Sequence, residues 1–598
     1  MSLLKRKAAS QNLINNMNLG GYAGKRLASN ESAWVHHVLE NNPNMFEAFA
    51  NPESNTLAKC NWHGEFPGKI LTGMAQTLRA FHNPVTLSAG NKMVQMFKSV
   101  QGVDGYLGPW SASTRFDGDK NKWDTWGHYH CIYGLYQWYK VTNNQDALDV
   151  AIKAADCVYN YFIVGKKTFA SQDWAECNFA ISHTFAILYQ ETNDRRYLEA
   201  CEQIVLNEWK YEYHDFYTNK TLACDWLGAV KEGKEFYQSS QPRWEGLHTI
   251  LTLSPLYQIT GNEEYYHALE HLWHSIVKYD RHNFGGFGTG EGAEGKPYIG
   301  GSETCNTVAW MAMSTEFLKL SKLSYVADEL ELSFYNASIG SLVGDYGFTY
   351  MNPMSGERIS AQIILANHGF EGGTELSCCQ ANGNRGLSQI TEWAILSDED
   401  SLYINYFGQY NAETKTPRGA DIKILQETDY PKSGGTKIVL TLDKNEEFKL
   451  NLRIPSWSTN TAILLNGTRF DNITAGQYFV IDRMWQSGDT IEMEFDMSVH
   501  YWVGEQECEG KECAFYGPVL LAMKWPKTLT AQNISKSPAD VIFHRADINA
   551  HTLIDNINCL LSLTVKVYNQ QQVDDVNLVA YADAWTDGEL YETWFNIV

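Results

Sequence analysis

The apolar residues of the first two thirds of the chain follow a helical spacing. Three segments, residues 137–158, 189–205 and 257–277, share one pattern: an aromatic residue, then Thr-Asn or Thr-Gly, then an apolar run. The run repeats about every 3.6 residues, as in an amphipathic helix. Because Asn and Gly readily take the left-handed conformation that ends a helix, each segment predicts two helices joined by a tight turn.

This helical hairpin recurs along the chain. Further pairs are predicted at residues 64–97 and 318–342. Repeated helix pairs of this length stack side by side, either as an open solenoid or as a closed toroid. Five or six pairs favour the closed (α/α)6 six-hairpin barrel. We expect the loops at one mouth of this barrel to carry the functional site.

The pattern changes near residue 400, where apolar and polar residues alternate. Segments 402–410, 437–442 and 448–455 have a period of two, and Asn466-Gly467 marks a hairpin within 461–470. Weaker strand patterns follow at 515–525 and 560–568. We therefore predict an α+β multidomain chain: a barrel over 1–395, an antiparallel β-sandwich over 396–505, and a second β-rich domain or sandwich extension over 506–598.

The charge and composition of the chain limit its possible binding partners. The 598 residues include 47 Lys and Arg against 70 Asp and Glu, a net charge of −23, which argues against nucleic acid and anionic membranes. Trp, Tyr and Phe make up 13% of the chain; their flat rings suit the faces of sugars, but taken alone this content favours a large, well-packed core. A homodimer is left open by the sequence.

The amino terminus has basic residues but no apolar stretch after them, so no signal peptide is expected. No apolar run is long enough to span a membrane. These features predict a cytoplasmic protein, or a periplasmic one if a leader has been removed.

Three cysteines and a glutamate form a candidate metal site. Glu303-Thr304-Cys305 is an E-x-C motif, and Cys378-Cys379 is an adjacent pair. Adjacent cysteines rarely bond to each other without strain. One carboxylate and three thiolates make a four-ligand set of the kind that Zn²⁺ takes. The alternative is three buried structural cysteines.

A thiolate held by a metal can also act as a nucleophile. A glycosidase needs in addition a proton donor for the leaving oxygen. Glu291 and Glu294, in the glycine-rich segment 285–295, are both candidates. The alternative is that both are solvated loop carboxylates.

These motifs carry a family resemblance. The segment 269–288, E-T-C at 303–305, C-C-x-x-N-x-x-R at 378–385 and the strand segments 426–431, 452–457 and 476–495 occur in the same order as in glycoside hydrolase family 127, the β-L-arabinofuranosidases. The resemblance covers residues 64–525. It implies a six-hairpin barrel with β-sandwich domains and a Zn²⁺ cofactor held by Glu303, Cys305, Cys378 and Cys379. It further implies retaining, exo-acting hydrolysis with Cys378 as nucleophile and Glu294 as acid/base.

The expected sugar-binding residues match the family's pattern less closely than the metal ligands do. His130 keeps a histidine of the family, whereas Asn178 stands where a second family histidine falls by ungapped matching. Glu291 replaces a further family histidine. These changes surround the substrate and leave the metal set intact, so the substrate could be another furanoside or a related acidic or deoxy sugar.

Three more residues are expected at the pocket. Trp244 and His248, in the segment 243–248, are predicted to line it. Glu65 opens a barrel helix and could bind a sugar hydroxyl; it could equally complement the helix dipole.

Two other functions stay open at this point. A lyase or dehydratase acting on uronic-acid-containing oligosaccharides could use the same barrel. Its base and cation would come from His128, His130, Arg243 or Arg385. The other alternative is a non-catalytic carbohydrate-binding protein with a structural zinc.

Overall fold

A computed structural model gives the fold. It describes residues 10–11, 16–54, 60–116, 123–172, 174–215, 220–361, 376–526, 541–554, 559–569, 572–584 and 589–598. Within these residues, no helix combines the length and apolar character needed to cross a bilayer.

Six inner helices form a closed ring, each packed against the next and the sixth against the first. In chain order they are Phe66–Phe81, Asp124–Thr142, Ile181–Thr192, Leu253–Thr260, Thr304–Ser321 and Cys378–Ser388. Neighbours surround most of each of these helices, so many of their polar residues, such as Thr72, Gln76 and Asn306, are buried. The (α/α)6 barrel predicted from the sequence is therefore confirmed.

An outer layer covers this ring. Five outer helices each follow their inner partner: Pro84–Val100, Gln145–Tyr159, Arg195–Leu206, Glu263–Tyr279 and Ser324–Leu332. The sixth inner helix packs instead against Gly21–Asn30, from the start of the chain. Shorter helices include Val38–Asn41, Glu47–Ala50, Ala175–Asn178, Trp226–Lys231, Trp244–Ile250, Ile390–Trp393 and Arg545–Asn549.

The hairpin turns follow the predicted chemistry. Asn143, Asn193 and Gly261 take left-handed backbone conformations at the ends of their inner helices. His82 and Lys322 do the same in the other two hairpins. Because an L side chain is disfavoured in this conformation, these two caps were not recognisable from residue type.

Two sheets follow the barrel and share its core cluster. The first contains Ser10–Gln11, Ile395–Ser397, Ser401–Ile404, Glu446–Arg453 and Tyr478–Trp485. The second contains Tyr410–Lys415, Asp421–Thr428, Gly435–Leu442, Thr490–Glu494, Ala462–Leu465 and Thr468–Arg469. One pair departs from the predicted antiparallel arrangement, since Ser401–Ile404 runs parallel to Glu446–Arg453. Asn466 and Gly467 form the predicted hairpin turn, both at positive φ.

A third sheet ends the chain. Its main strands are Val499–Val503, Glu512–Tyr516, Val519–Pro526, Gln572–Ala580, Ser562–Asn569, Ile542–Phe543 and Asn596–Ile597, with Thr552–Leu553 and Glu589–Glu592 at its sides. Arg358, from the barrel, donates to the backbone carbonyls of Tyr581 and Ala582. This contact ties the last sheet to the loops of the helical domain.

Candidate active site

The first half of the predicted metal site lies where a short strand meets a helix. Gly301–Glu303 pairs with Met351–Pro353 and leads directly into the fifth inner helix. Glu303 occupies the N-cap position of that helix, and Cys305 lies in its first turn. Both side chains therefore sit at the positive end of a helix dipole, which favours a negative charge.

The second half lies at the start of the sixth inner helix. Cys378 and Cys379 are its first two residues, and the Ser377 side chain caps it by accepting from the Gln380 backbone N–H. The positive end of a second helix thus meets the first. This is an arrangement that lowers the cost of forming thiolates.

The fold brings all four predicted ligands together. The ligand atoms of Glu303, Cys305, Cys378 and Cys379 all lie within 4.8 Å of one another. Sγ of Cys379 lies 3.7 Å from Cys305 Sγ and 3.8 Å from Cys378 Sγ. A tetrahedral zinc with bonds of about 2.3 Å to sulfur places two thiolates about 3.8 Å apart. The donor set and its spacing therefore fit a divalent cation.

The burial of the ligand side chains also favours a bound cation. Burial raises the pKa of the Glu303 carboxyl and of the Cys305 and Cys379 thiols. The second carboxylate oxygen of Glu303 is buried and has no hydrogen-bond partner among the described residues. A bound cation would supply both the missing partner and the compensating charge.

Cys378 differs from the other two cysteines. Cys305 and Cys379 are fully buried, whereas Cys378 is only partly so. Hydrogen bonds from the Cys305 and Cys379 thiols lower the pKa of Cys378 to about 7 against the effect of burial. Cys378 is therefore the thiol that combines access with thiolate character.

Two of the predicted sugar-binding residues are neutral histidines on barrel helices. His130 is fully buried, and neither ring nitrogen has a hydrogen-bond partner among the described residues. His248 Nδ1 lies 2.9 Å from the Tyr129 hydroxyl. The other ring nitrogen of His248, Nε2, has no hydrogen-bond partner among the described residues. Burial lowers the pKa of both histidines. Unsatisfied buried nitrogens are costly, so these two indicate a ligand.

Glu65 and Trp244 lie beside the same histidines. Glu65 accepts a hydrogen bond from Trp126 Nε1, and its Oε1 lies 2.6 Å from Lys69 Nζ. Lys69 Nζ lies 4.5 Å from the centroid of the Trp244 ring. Trp244 in turn packs edge-on against Trp126 and His248. The predicted residues thus share one aromatic-walled region.

The side chain of Asn178 is hydrogen-bonded to the protein backbone. Its Oδ1 accepts from the Trp126 backbone N–H at 2.9 Å, and its Nδ2 donates to the Trp174 carbonyl at 3.3 Å. Both ends of the amide are occupied by the protein backbone. These contacts give Asn178 a part in holding Trp126, and its contact with a sugar stays a prediction.

Of the two candidate acids, the structure brings Glu291 to the cluster. Glu291 accepts from the Tyr350 hydroxyl and forms a 2.7 Å ion pair with Arg243. Its charge also contributes to the raised pKa of Glu303. A carboxylate beside the metal set and half open to solvent is well placed to exchange a proton with a substrate.

Glu294 faces away. Its side chain is 48% exposed and pairs with Lys296 at 2.6 Å, while its backbone N–H donates to Asp280. No contact between Glu294 and the four ligands is found within the described residues. These contacts connect Glu291, rather than the expected Glu294, with the ligand set. Gly288 and Gly290, just before Glu291, are at positive φ.

Sequence reasoning missed two residues of this site. Lys69 follows Glu65 by four positions, so the two lie one above the other on consecutive helical turns. That spacing was a usable signal. Tyr350 has no such signal, because it reaches Glu291 only through the pairing of Gly301–Glu303 with Met351–Pro353.

A closed six-hairpin barrel with one glutamate and three cysteines clustered at one mouth defines a class of carbohydrate-active protein. The chain matches the model of the GH127 β-L-arabinofuranosidase catalytic domain over residues 24–392 and that of the GH127 middle domain over 401–497. The chain belongs to glycoside hydrolase family 127, and it is a glycoside hydrolase.

The individual relatives have low sequence identity to this chain. A non-reducing end β-L-arabinofuranosidase from Bifidobacterium longum subsp. longum is 23% identical over 476 residues, covering 72% of this chain and 70% of the relative. A solved GH127 β-arabinofuranosidase superposes with a TM-score of 0.80 at 20% identity, covering 100% and 99% of the two chains. A GH127 β-L-arabinofuranosidase from Geobacillus stearothermophilus T6 gives 0.77 at 18%, covering 98% and 100%. At these identities the structural likeness shows the fold.

Proposed function

We propose that the protein is an exo-acting, retaining glycosidase that releases terminal β-L-arabinofuranose, or a closely similar sugar, from oligosaccharides. The observation that carries this proposal is the four-residue cluster in which Cys378 alone is partly accessible. We take the identity of the sugar from the names of the relatives, which are β-L-arabinofuranosidases or β-arabinofuranosidases. Neutral His130 and His248 supply unpartnered nitrogens that suit its hydroxyl groups.

In the first step, the Cys378 thiolate attacks the anomeric carbon. The carbon–sulfur bond forms as the glycosidic carbon–oxygen bond breaks, and the departing oxygen takes a proton from Glu291. The aglycone leaves with that proton, and the sugar stays on Cys378 as a thioether.

In the second step, the Glu291 carboxylate removes a proton from a water molecule. The water oxygen attacks the anomeric carbon, the carbon–sulfur bond breaks, and Cys378 returns to the thiolate. Two inversions at the same carbon give net retention. Tyr350 and Arg243 hold the Glu291 carboxylate by one hydrogen bond and one ion pair.

We propose zinc as the cofactor, held by Glu303, Cys305, Cys378 and Cys379. A zinc ion there would keep the thiols deprotonated near neutral pH and would stabilise the sulfur as a leaving group.

The lyase alternative has less support. Of the arginines that could supply its cation, Arg243 already pairs with Glu245 at 3.1 Å and with Glu291 at 2.7 Å, and Arg385 donates to Asn382 at 2.8 Å.

Two oligosaccharides test the proposal, one ending in β-L-arabinofuranose and one in a uronic acid. Mass spectrometry should show a free pentose from the first and no product from the second. Proton NMR should show the β anomer of the pentose first. An unsaturated uronic acid, or the α anomer formed first, would contradict the proposal.

A further inference from the structure

Lys69 is a buried cation that the proposed chemistry does not use. It is fully buried, and Glu65, one helical turn earlier, lies 2.6 Å away. Burial opposes its charge, but Glu65, Cys305 and Cys378 outweigh burial and raise the pKa of Lys69. The ammonium group therefore stays charged inside the barrel.

The register of two inner helices places this group beside the thiols. The first and sixth inner helices run parallel, since successive contacts advance together along both: Gly73 lies against Asn384, and Gln76 contacts Ser388 at 3.2 Å. The advance continues into the short helix Ile390–Trp393, where Glu392 lies 3.5 Å from Arg79.

Lys69 lies one turn before Gly73, and Cys378-Cys379 begins the sixth helix, one to two turns before Asn384. Extending the register backwards therefore brings Lys69 to the level of the cysteine pair. The influence of Cys305 and Cys378 on the Lys69 ammonium agrees with this placement.

The ammonium group has donors to spare. It carries three N–H groups. Glu65 receives one, and the face of Trp244 lies against the group at 4.5 Å. Within the described ranges no other acceptor lies in hydrogen-bond reach of Nζ. An unsatisfied buried donor destabilises the folded protein, and a bound acceptor would remove that penalty.

We propose that Lys69 Nζ donates a hydrogen bond to one hydroxyl oxygen of the sugar bound at Cys378, and that it selects sugars carrying that hydroxyl. The inference rests on the proposed glycosidase function and adds a specificity-determining residue to it. Glu65 has a defined part: its carboxylate neutralises Lys69, so the donor adds no net positive charge beside the oxocarbenium-like transition state.

The test pairs one variant with a set of substrates. The substrates are p-nitrophenyl β-L-arabinofuranoside and its 2-, 3- and 5-deoxy analogues, and the variant is Lys69→Met, which keeps length and removes the donor. In wild type, loss of the contacted hydroxyl should lower kcat/KM by about 10- to 150-fold, the value of a hydrogen bond to a charged group. In Lys69→Met that single penalty should disappear, while the penalties at the other two positions stay as in wild type.

Unchanged penalties at all three positions in Lys69→Met would overturn the inference. Because Lys69→Met leaves Glu65 buried and unpaired, the double variant Glu65→Gln/Lys69→Met is measured alongside; it removes both charges together. Thermal unfolding and metal content show whether each variant is folded and loaded. Failure of wild type to hydrolyse the parent glycoside would instead refute the proposed function, and the Lys69 assignment with it.

Discussion

Two buried ionic clusters, one between the domains and one at the barrel mouth, use the same residue types differently. At the barrel–sandwich interface, Arg453 donates to the Asn405 carbonyl at 2.6 Å, to Asp328 at 2.5 Å and to Glu331 at 2.6 Å. Tyr430 completes the set by donating to Glu331 at 2.7 Å. Every side-chain nitrogen and oxygen of Arg453, Asp328, Glu331 and Tyr430 has a partner among the described residues.

At the barrel mouth, in contrast, several buried polar groups lack a partner within the protein as described. Both nitrogens of His130, Nε2 of His248 and the second carboxylate oxygen of Glu303 are buried without a partner among the described residues. Lys69 keeps spare donors beside them. Since buried polar groups in folded proteins are nearly always satisfied, such a concentration of exceptions indicates a place completed by ligands. The contrast separates groups that hold the domains together from groups reserved for substrate and metal.

The largest expected effect is at Cys378. Cys378→Ala should lower kcat by at least about 10⁴-fold, because no other accessible thiol is present in the cluster as described. The matched control is Cys131→Ala, a buried cysteine of an inner helix whose Sγ contacts the Gly64 carbonyl at 3.3 Å. Steady-state kinetics should show wild-type kcat for this control. Equal losses in both variants would mean that Cys378 matters only for folding.

The next largest effect on kcat distinguishes Glu291 from Glu294, two glutamates of the same loop. Glu291→Gln should lower kcat by about 10²- to 10⁴-fold on a substrate with a poor leaving group, since the proton donor is lost. Glu294→Gln should keep wild-type kcat, because that carboxylate pairs with Lys296 at the surface. The reverse order of effects in the same assay would return the acid/base role to Glu294.

The interface cluster should respond in stability and not in catalysis. Arg453→Met leaves Glu331 and Asp328 without their cation and should lower the free energy of unfolding by about 3–5 kcal/mol. The kcat of the folded enzyme should not change. Lys423→Met, which breaks the exposed pair with Glu413, is the control and should leave the denaturation midpoint in place. A catalytic defect in Arg453→Met would break the distinction between the two clusters.

The last effect concerns the pH dependence of stability and Asp280, which accepts hydrogen bonds from the backbone N–H groups of Glu294 and Gly295. Burial raises the pKa of Asp280 to about 7. Its contribution to stability is therefore complete below the unfolded pKa of about 3.9 and is lost as pH rises to about 7.

Asp280→Asn should remove this dependence. Across that window the wild type should lose stability relative to the variant, by up to about 1.4 kcal/mol per pH unit. Urea denaturation at several pH values measures the difference. A constant difference between the two proteins from pH 4 to pH 7 would contradict the assignment.

The sequence was enough to predict the barrel because its hairpins carry local signals. Asn143, Asn193 and Gly261 each end a helix in a conformation that their residue types favour. The partner of the sixth inner helix was not predictable in this way. Gly21–Asn30 packs there from the far end of the chain, and no local pattern records so distant a contact.

The site shows the same division. Glu303, Cys305, Cys378 and Cys379 could be predicted as one ligand set from their residue types together with the family resemblance, although the pairs lie far apart in sequence. The choice between Glu291 and Glu294 could not be made in this way, because Glu291 is distinguished by contacts with Tyr350 and Arg243, which lie far from it in sequence. The contact that Asn178 makes with the Trp126 backbone N–H could not be predicted either, because residue matching does not show backbone partners.

The most direct test of the account is to trap the sugar on the enzyme. Glu291→Gln is mixed with p-nitrophenyl β-L-arabinofuranoside, whose good leaving group needs no acid, and is then quenched with acid and digested. Since the second step lacks its base, we expect a peptide containing Cys378 that is heavier by one pentosyl group. A pentosyl group on Glu303 or on another residue, or steady turnover with no modified peptide, would contradict the thiolate mechanism.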